Sequence, residues 1–441
     1  MAIETTALSH PAVRASAEAA FASFYPARTD SGAEWTSFVS QFTEAACRRS
    51  KWREPGPEEM EMALAIMEDR YGDCPRADLN WSSFDTFENL LDDLDMDSSP
   101  GYPYTEQAMT NGQWLRTTGI RNYDPIRVRM LWYDVQAILS GDLQHIFRVF
   151  IKDEPHKKAK VEAGRWRLII ASSLPMQMIW RMLFHHQNKW LNDKCWETPS
   201  SHGMVFCYGG WRRFKAVCKT KGLVYSSDVS GWDINSPGWV FRCVRELRKR
   251  WGGPPDWERT IDLVYDDAFV NAKLYFSNGI IVEQQFEGFM KSGLFNTITD
   301  NSLGGGFVHI VASLRSGQRI GNWIVTGDDM LRQYMSDSYV DQLLPLGVTL
   351  KEYSENLDFM GMNFDKEPMP LYFQKHIVKC ATSPEHLQEI LDAYARLYCY
   401  SQHHNAFWRD VADQFAVSLR STSYYQFWFG SPLAKALNYW K

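Results

Sequence analysis

The hydrophobic rhythm of this chain changes along its length. Over residues 12–50 and 57–71 apolar positions recur every three or four residues, as Met60, Ala63, Leu64 and Met67 do, and predict helices. The SSPGYPY stretch at 98–104, with one Gly and two Pro, predicts an irregular loop. Helical spacing returns at 127–141, short extended runs mix with basic residues at 145–171, and 174–194 reads as a buried helix. In the centre, 223–227 predicts a strand ending at Asp228. Ser236 and Pro237 then predict a helix start, and Gly252-Gly253 its end. Asn278-Gly279, between extended runs at 273–277 and 280–284, predicts a hairpin. A long helix is predicted at 294–313. Strands at 322–326 and 330–334 are joined by Gly327-Asp328-Asp329, and a helix follows at 336–346. Strands at 348–353, 358–364 and 370–376 come next, and the stretch from Pro384 is mostly helical. Strand, helix, hairpin and helix in this order predict an α+β core followed by a helical part.

Composition narrows the class. At 441 residues the chain is long for one domain, and roughly three are expected at about 150 residues each. With 45% hydrophobic and 14% aromatic residues it can bury a large core, which argues against wholesale disorder. No apolar run reaches the length of a membrane span, so no transmembrane segment is expected. The opening residues lack the basic-then-apolar pattern of a signal peptide. Eight scattered cysteines form no CxxC pair, so neither a zinc ribbon nor a disulfide framework is suggested, and a reducing, cytoplasmic setting is expected. The net charge of −6 is unevenly spread. Residues 54–97 hold 14 Asp and Glu against Arg70 and Arg76, a net of −12, which leaves about +6 elsewhere. Phosphate binding needs local positive charge and not a basic whole.

The candidate chemistry is carboxylate chemistry. Asp328 and Asp329 stand side by side at a tight turn, where their repulsion is costly and a divalent cation would relieve it. The plain alternative is a turn that uses Gly and Asp for backbone tolerance. Asp228 ends another strand. If the two strands are neighbours, Asp228 and Asp328 face each other and build the oxygen-rich site that magnesium prefers. Asp233 lies past that strand, in reach of a nucleotide sugar. Ser292, Thr297 and Asn301 follow in a glycine-bounded loop that runs into a helix; Thr297 and Asn301 share a helix face at i and i+4. They could hydrogen-bond a ribose or hold Asp233, or be an N-cap with incidental polar neighbours. Lys152, Lys157, Lys158, Lys160, Arg165 and Arg167 stand within sixteen residues. Arg suits bidentate phosphate contact and Lys point-charge contact; the alternative is a solvated charge run. The histidines show no zinc spacing. Trp180, Trp190, Trp232 and Trp239 read as packing, and Trp166, beside the basic pair, could stack on a base.

Taken jointly and in order, DVSGWD (228–233), SGLFNTITDN (292–301) and TGDD (326–329) resemble motifs A, B and C of the viral RNA-dependent RNA polymerases. KDEPHKKAKVEAGRWRLIIASS (152–173) resembles motif F, and SSPGYPY (98–104) motif G. The stretch 346–351 resembles motif D, and 359–364 motif E. The resemblance covers residues 98–364. Its opening KDEPHK and its spacing are similar to the sobemovirus, polerovirus and barnavirus group, whose enzymes are commonly part of a polyprotein; this sequence opens on Met1.

The resemblance implies a right-hand fold of fingers, palm and thumb, with an antiparallel palm sheet flanked by helices. Residues 1–97 would be an N-terminal extension with fingers elements, and 98–222 fingers with a helix on the palm. Residues 223–234 would be palm, 235–287 a palm helix and fingers insertion, 288–376 palm, and 377–441 thumb. It implies copying of an RNA template from NTPs into a nascent strand by two-metal nucleotidyl transfer with release of pyrophosphate. Asp228, Asp328 and Asp329 would hold Mg2+, with Mn2+ as substitute, and Lys351 would be the general acid. Lys152, Lys160, Arg165, Arg167, Asp233, Ser292, Thr297 and Asn301 would bind the nucleotide, and Ser99, Gly101, Pro103 and Gly293 the RNA. Partners would include a genome-linked protein primer and other viral replication proteins. The setting would be host cytoplasm, in replication complexes tied to membranes through partners. Two rivals are a reverse transcriptase or DNA polymerase on the same palm, and a silent polymerase-like RNA-binding scaffold. Asp233 with Asn301 favours ribose recognition against the first, and the full set of acids speaks against the second.

Overall fold

The computed structural model describes residues 11–119 and 121–438. The first ten residues, part of the expected N-terminal extension, lie outside them. The single helix expected over 12–50 is two, Pro11–Ser23 and Ser31–Arg49. Pro26 lies in the break, and the Asp30 carboxylate caps the second helix by accepting from the Ala33 N–H at 2.9 Å. The first helix packs on the C-terminal helices, where Ala17 and Ala20 join Ile377, Tyr398, Phe407 and Trp408 in one buried cluster. Phe24–Tyr25 then pairs with His156–Lys157. The N-terminal segment therefore bridges the basic stretch and the C-terminal helices. Pro57–Tyr71 is one helix, as expected. The acids around it are not a solvated tail. Glu54 pairs with Arg242, Glu61 and Glu68 with Arg250, and Glu59 with Arg315.

The central sheet is antiparallel, in the order Leu350–Glu355, Tyr225–Val229, Asp329–Arg332, Trp323–Thr326. Strand alternation divides its two faces. Val325 and Met330 join the main core beneath helix Thr297–Ser316; Ile324 and Leu331 join a second cluster with Phe214 and Cys218 of helix Gly210–Lys221. Helix Thr297–Ser316 carries Gly304, Gly305 and Gly306 in its interior, each costing about 1 kcal/mol of helix propensity relative to Ala. Close approach is the reason. A Cβ on Gly304 would lie 2.5 Å from Val240 Cγ1, and one on Gly305 3.2 Å from Met330 Cε. A second sheet joins Leu168–Ala171, Phe147–Ile151, Lys273–Tyr275 and Ile281–Glu283, with one parallel pair between the middle strands.

Several expected boundaries shift. The strand at Asp228 runs over Tyr225–Val229, so Asp228 lies inside it. Helix Gly238–Trp251 is preceded by Pro237 and not capped by Ser236, whose hydroxyl instead donates to Asp233 O and accepts from Met290 N–H. Helices Gly210–Lys221 and Pro255–Phe269 were not expected. The strand expected at 358–364 is a hairpin of Asp358–Phe359 and Met362–Asn363, turned by Met360 and Gly361 at φ 51° and 73°. The strand expected at 370–376 reduces to Met369–Pro370, and a helix, Phe373–Thr382, crosses the boundary expected before residue 377. Helices Leu387–Leu397, Gln402–Gln414, Thr422–Gly430 and Pro432–Asn438 follow.

Candidate active site

The acidic turn is built by the pairing of Thr326 with Asp329, which leaves Gly327 (φ 62°) and Asp328 at the tip. The Ser302 hydroxyl ties this tip to helix Thr297–Ser316 by accepting from the Gly327 N–H at 2.9 Å. Ser227 is in register with Met330, so the next residues in line across the strands are Asp228 and Asp329. The sequence reading placed Asp228 opposite Asp328; the register gives that place to Asp329, and Asp328 reaches in from the turn.

All three acids interact through charge. Burial pushes the Asp329 carboxyl up to about 6, helped by Asp328 and then Asp228. Burial also raises Asp328, which Asp228 pushes further the same way while Arg167 and Lys351 oppose it. Asp233, on the short helix Trp232–Asn235, is raised to about 6 by burial and then by Asp328. Among the described residues, no three His, Cys, Asp or Glu side chains are gathered into a ready cage for a metal. The donor set is nevertheless all oxygen and its acids repel one another. That fits a magnesium ion, which takes one or two carboxylates and keeps waters or substrate phosphates as its other ligands.

Lys351 lies at a bulge in its strand and its ammonium meets both Asp228 oxygens, at 3.0 and 2.8 Å. From the other side come Lys152, Lys160 and Arg167. Lys160 is lowered by burial first and then by Lys351 and Arg167, with Asp228 opposing. Glu154 organises the rest. It pairs with Lys152 at 3.4 Å, Arg167 at 3.4 Å and Lys375 at 3.1 Å. Burial would raise its carboxyl, but those cations outweigh burial and hold it at about 2. Arg165 is not part of this group: it pairs with Glu44 on helix Ser31–Arg49. Trp166 is buried against His156, with ring centroids 5.1 Å apart, and presents no face to a base.

The loop before helix Thr297–Ser316 is tied to the second sheet. Gly293 N–H donates to Ile170 O at 2.9 Å, and Ser292 Oγ accepts from Ile170 N–H at 3.3 Å. A Cβ at Gly293 would lie 2.6 Å from Ile170 O, so the approach requires glycine. Thr297 gives its hydroxyl to Lys291 O and Leu294 O. The hydroxyls of Ser292 and Thr297 thus hold the loop, and neither reaches Asp233. Asn301 does: its Nδ2 donates to Asp233 Oδ1 at 3.2 Å while its Oδ1 accepts from Trp232 Nε1 at 2.8 Å. Trp232, read as packing, orients that amide. The 98–104 loop is clamped to helix Leu174–Asp193. Leu174 N–H donates to Pro100 O, Gln177 Nε2 to Ser99 O, and Ser99 Oγ accepts from Gly101 N–H. A Cβ on Gly101 would lie 2.4 Å from Ser172 O, and Pro103 follows a cis peptide.

Glu154, Tyr372 and Lys375 escaped the sequence reading as site residues. Tyr372 is raised by burial and then by Asp329, Asp228 and Asp328, so its hydroxyl lies in their field. Lys375 joins Glu154. Tyr372 and Lys375 belong to no local pattern that a single sequence displays, and Glu154 lies inside KDEPHK among the cations that drew notice instead.

An antiparallel four-stranded sheet with helix Thr297–Ser316 on one face and helix Gly210–Lys221 on the other, acids on one strand and the neighbouring turn, and a basic wall opposite define a right-hand template-directed polymerase. The chain belongs to the viral RNA-dependent RNA polymerase family, whose model matches residues 86–379. It is similar to Protein P2-P3 of Poinsettia latent virus, 28% identical over 329 residues that cover 65% of this chain and 28% of that protein. The RNA-directed RNA polymerase of Mushroom bacilliform virus is 28% identical over 288 residues, covering 61% of this chain and 68% of that one. Replicase polyprotein P2AB of Southern bean mosaic virus is 33% identical over 215 residues, 47% of this chain and 21% of that protein. The chain thus spans from about a fifth to two thirds of these relatives' lengths. The solved Sicinivirus 3Dpol RNA dependent RNA polymerase shares the fold, with TM-score 0.68 at 18% identity over 86% of each chain. No helix among the described residues is long and apolar enough to cross a membrane.

Proposed function

We propose that this chain copies the RNA of a positive-strand virus, joining NTPs to a growing strand on an RNA template. The observation that carries the reading is the meeting of Asp228, Asp328 and Asp329, from separate strands and a turn, opposite Lys152, Lys160 and Arg167. Two Mg2+ ions, or Mn2+ in their place, would supply Lewis acidity at the attacking and leaving oxygens. Asp228 and Asp328 would be their main carboxylate ligands, with Asp329 beside them.

The chain's own groups do the rest. Arg167, Lys160 and Lys152 neutralise the triphosphate, with Glu154 setting where Lys152 and Arg167 stand. Asp233, held by Asn301, accepts a hydrogen bond from the ribose hydroxyl, and this selects NTP over dNTP. The 3′-oxygen forms a bond to the α-phosphorus as its proton passes to solvent water, and the bond from the α-phosphorus to the oxygen bridging to the β-phosphate breaks. Lys351 gives its proton to the departing pyrophosphate. Positioning and charge stabilisation supply most of the acceleration. The 98–104 loop (Ser99, Gly101, Pro103) and Gly293 guide the RNA. A genome-linked protein primer and other replication proteins are natural partners.

The test is primer extension by Asp328→Ala. Synthesis should vanish while RNA binding stays within about twofold, because the carboxylate is not in the basic wall. Extension at the wild-type rate would end the proposal. Comparing NTP with dNTP incorporation checks the ribose assignment, and equal use of both would favour a DNA-synthesising enzyme on the same palm.

A further inference from the structure

Two stretches of the chain, 198–227 and 414–441, contain no Asp or Glu. The first carries Arg212, Arg213, Lys215, Lys219 and Lys221. The fold lays residues 198–227 and 414–437 together, on the face of the central sheet opposite helix Thr297–Ser316. Tyr208 N–H donates to Trp428 O at 3.2 Å and Gly209 N–H to Phe429 O at 3.0 Å, and a Cβ on Gly209 would lie 3.3 Å from Pro432 Cδ. At this junction large apolar side chains face water: Val205 is 56% exposed, Leu433 65% and Leu437 61%. Leu433 and Leu437 are one turn apart on helix Pro432–Asn438.

The two stretches themselves carry charge of one sign. Arg212, Arg213, Lys219 and Lys435 are exposed, and none forms an ion pair among the described residues. The acids that border the patch are engaged elsewhere. Asp392 pairs with Arg396 and accepts from Tyr425, Glu197 pairs with Lys194, and the Asp365 carboxylate accepts from Leu357 N–H and Asn363. Exposed aliphatic side chains ringed by cations that no carboxylate neutralises match a surface that is apolar beneath and anionic on top.

We propose that this patch seats the polymerase directly on an anionic membrane surface, with Leu433, Leu437 and Val205 entering the headgroup boundary and Arg212, Arg213 and Lys435 meeting lipid phosphates. Membrane association then belongs to this chain itself and needs no tethering partner. Single-stranded RNA fits the cations and finds a ring in Phe427, 39% exposed, but it leaves the aliphatic Val205, Leu433 and Leu437 in water.

The experiment is co-sedimentation with phosphatidylcholine vesicles, with and without phosphatidylserine. The full chain should bind only the phosphatidylserine vesicles, less tightly as salt rises. Leu433→Ser with Leu437→Ser should weaken binding by about tenfold or more. Arg212→Gln and Lys435→Gln should each weaken it by about fivefold. Melting temperature and primer extension without vesicles should stay at wild-type values in every variant, since these side chains lie outside the catalytic group. Vesicle binding that survives both sets of substitutions overturns the proposal. So does a wild-type chain that ignores anionic vesicles while the same substitutions weaken its binding of single-stranded RNA.

Discussion

Replacing Lys351 with Met separates a structural from a chemical role for this lysine. Its ammonium lies 2.8 and 3.0 Å from the two Asp228 oxygens, but the side chains are 46% and 51% exposed. An ion pair so well wetted contributes up to about 1 kcal/mol, because water screens it and two side chains lose freedom to make it. Lys351→Met should therefore move the melting temperature by no more than roughly 2 °C. Loss of a general acid is a different scale, about 10²- to 10⁴-fold in rate. The assay is single-nucleotide incorporation by rapid quench at saturating NTP, run beside thermal melting. Lys351→Arg is the companion variant: it keeps the cation beside Asp228 but holds its proton too tightly to donate it. The two variants should be similarly slow and similarly stable. Incorporation by Lys351→Met within about twofold of wild type would refute the general-acid role. A drop of many degrees in melting would show that the lysine is structural.

Arg167→Ala should raise the NTP concentration needed for half-maximal rate by about tenfold and change the saturated rate less; an unchanged NTP dependence would remove Arg167 from the channel wall. The buried pair of Arg248 and Asp300 should behave in the opposite way to Lys351. Both side chains are fully buried 2.7 Å apart, with Gln187, Asn188 and Thr299 on the arginine and Tyr265 on the aspartate. Arg248→Met alone should cost about 3–5 kcal/mol, and Arg248→Met with Asp300→Leu should cost less than Arg248→Met alone. A double variant worse than the single one would contradict the coupling. Acid should destabilise the fold through its buried histidines. Burial, then Arg332, lowers His309 to about 3, and burial lowers His202 and His376 to about 4. A group lowered in the fold adds stability that is complete above its unfolded value of about 6.5 and is lost as pH falls through the folded value. Melting should be level from about pH 7 to 8 and fall steadily below about pH 6, with His309 alone accounting for about 3 kcal/mol at about pH 4. A level profile down to about pH 5 would contradict this.

Local chemistry made much of the molecule legible before folding. Helices 57–71 and 174–194 and the turn at 327–329 follow from spacing and from residues such as Gly327, whose φ of 62° other residues rarely adopt. The joint order of Asp228, Ser292 to Asn301 and Asp328 carried the family, because it combines several weak signals that seldom coincide. Errors came where a distant neighbour outweighed a local preference. Residues 370–376 read as a strand, yet 373–382 is a helix whose Ile377 and Val378 pack against residues from both ends of the chain. Arg165 belongs by spacing with Arg167, yet it turns to Glu44, some 121 positions away.

What the sequence by itself determined is which groups could exist at the site and the local shape of each piece that carries them. Only the tertiary structure decided which groups meet. It placed Asp329 in line with Asp228, set Lys351 on Asp228, gave Glu154 three cations, and spread the acids of 54–97 over arginines of other helices. The physical reason is range. Helix and turn preferences act over a few residues, whereas strand register and ion pairing between remote segments are set by the burial of a shared core, which no single stretch of chain contains.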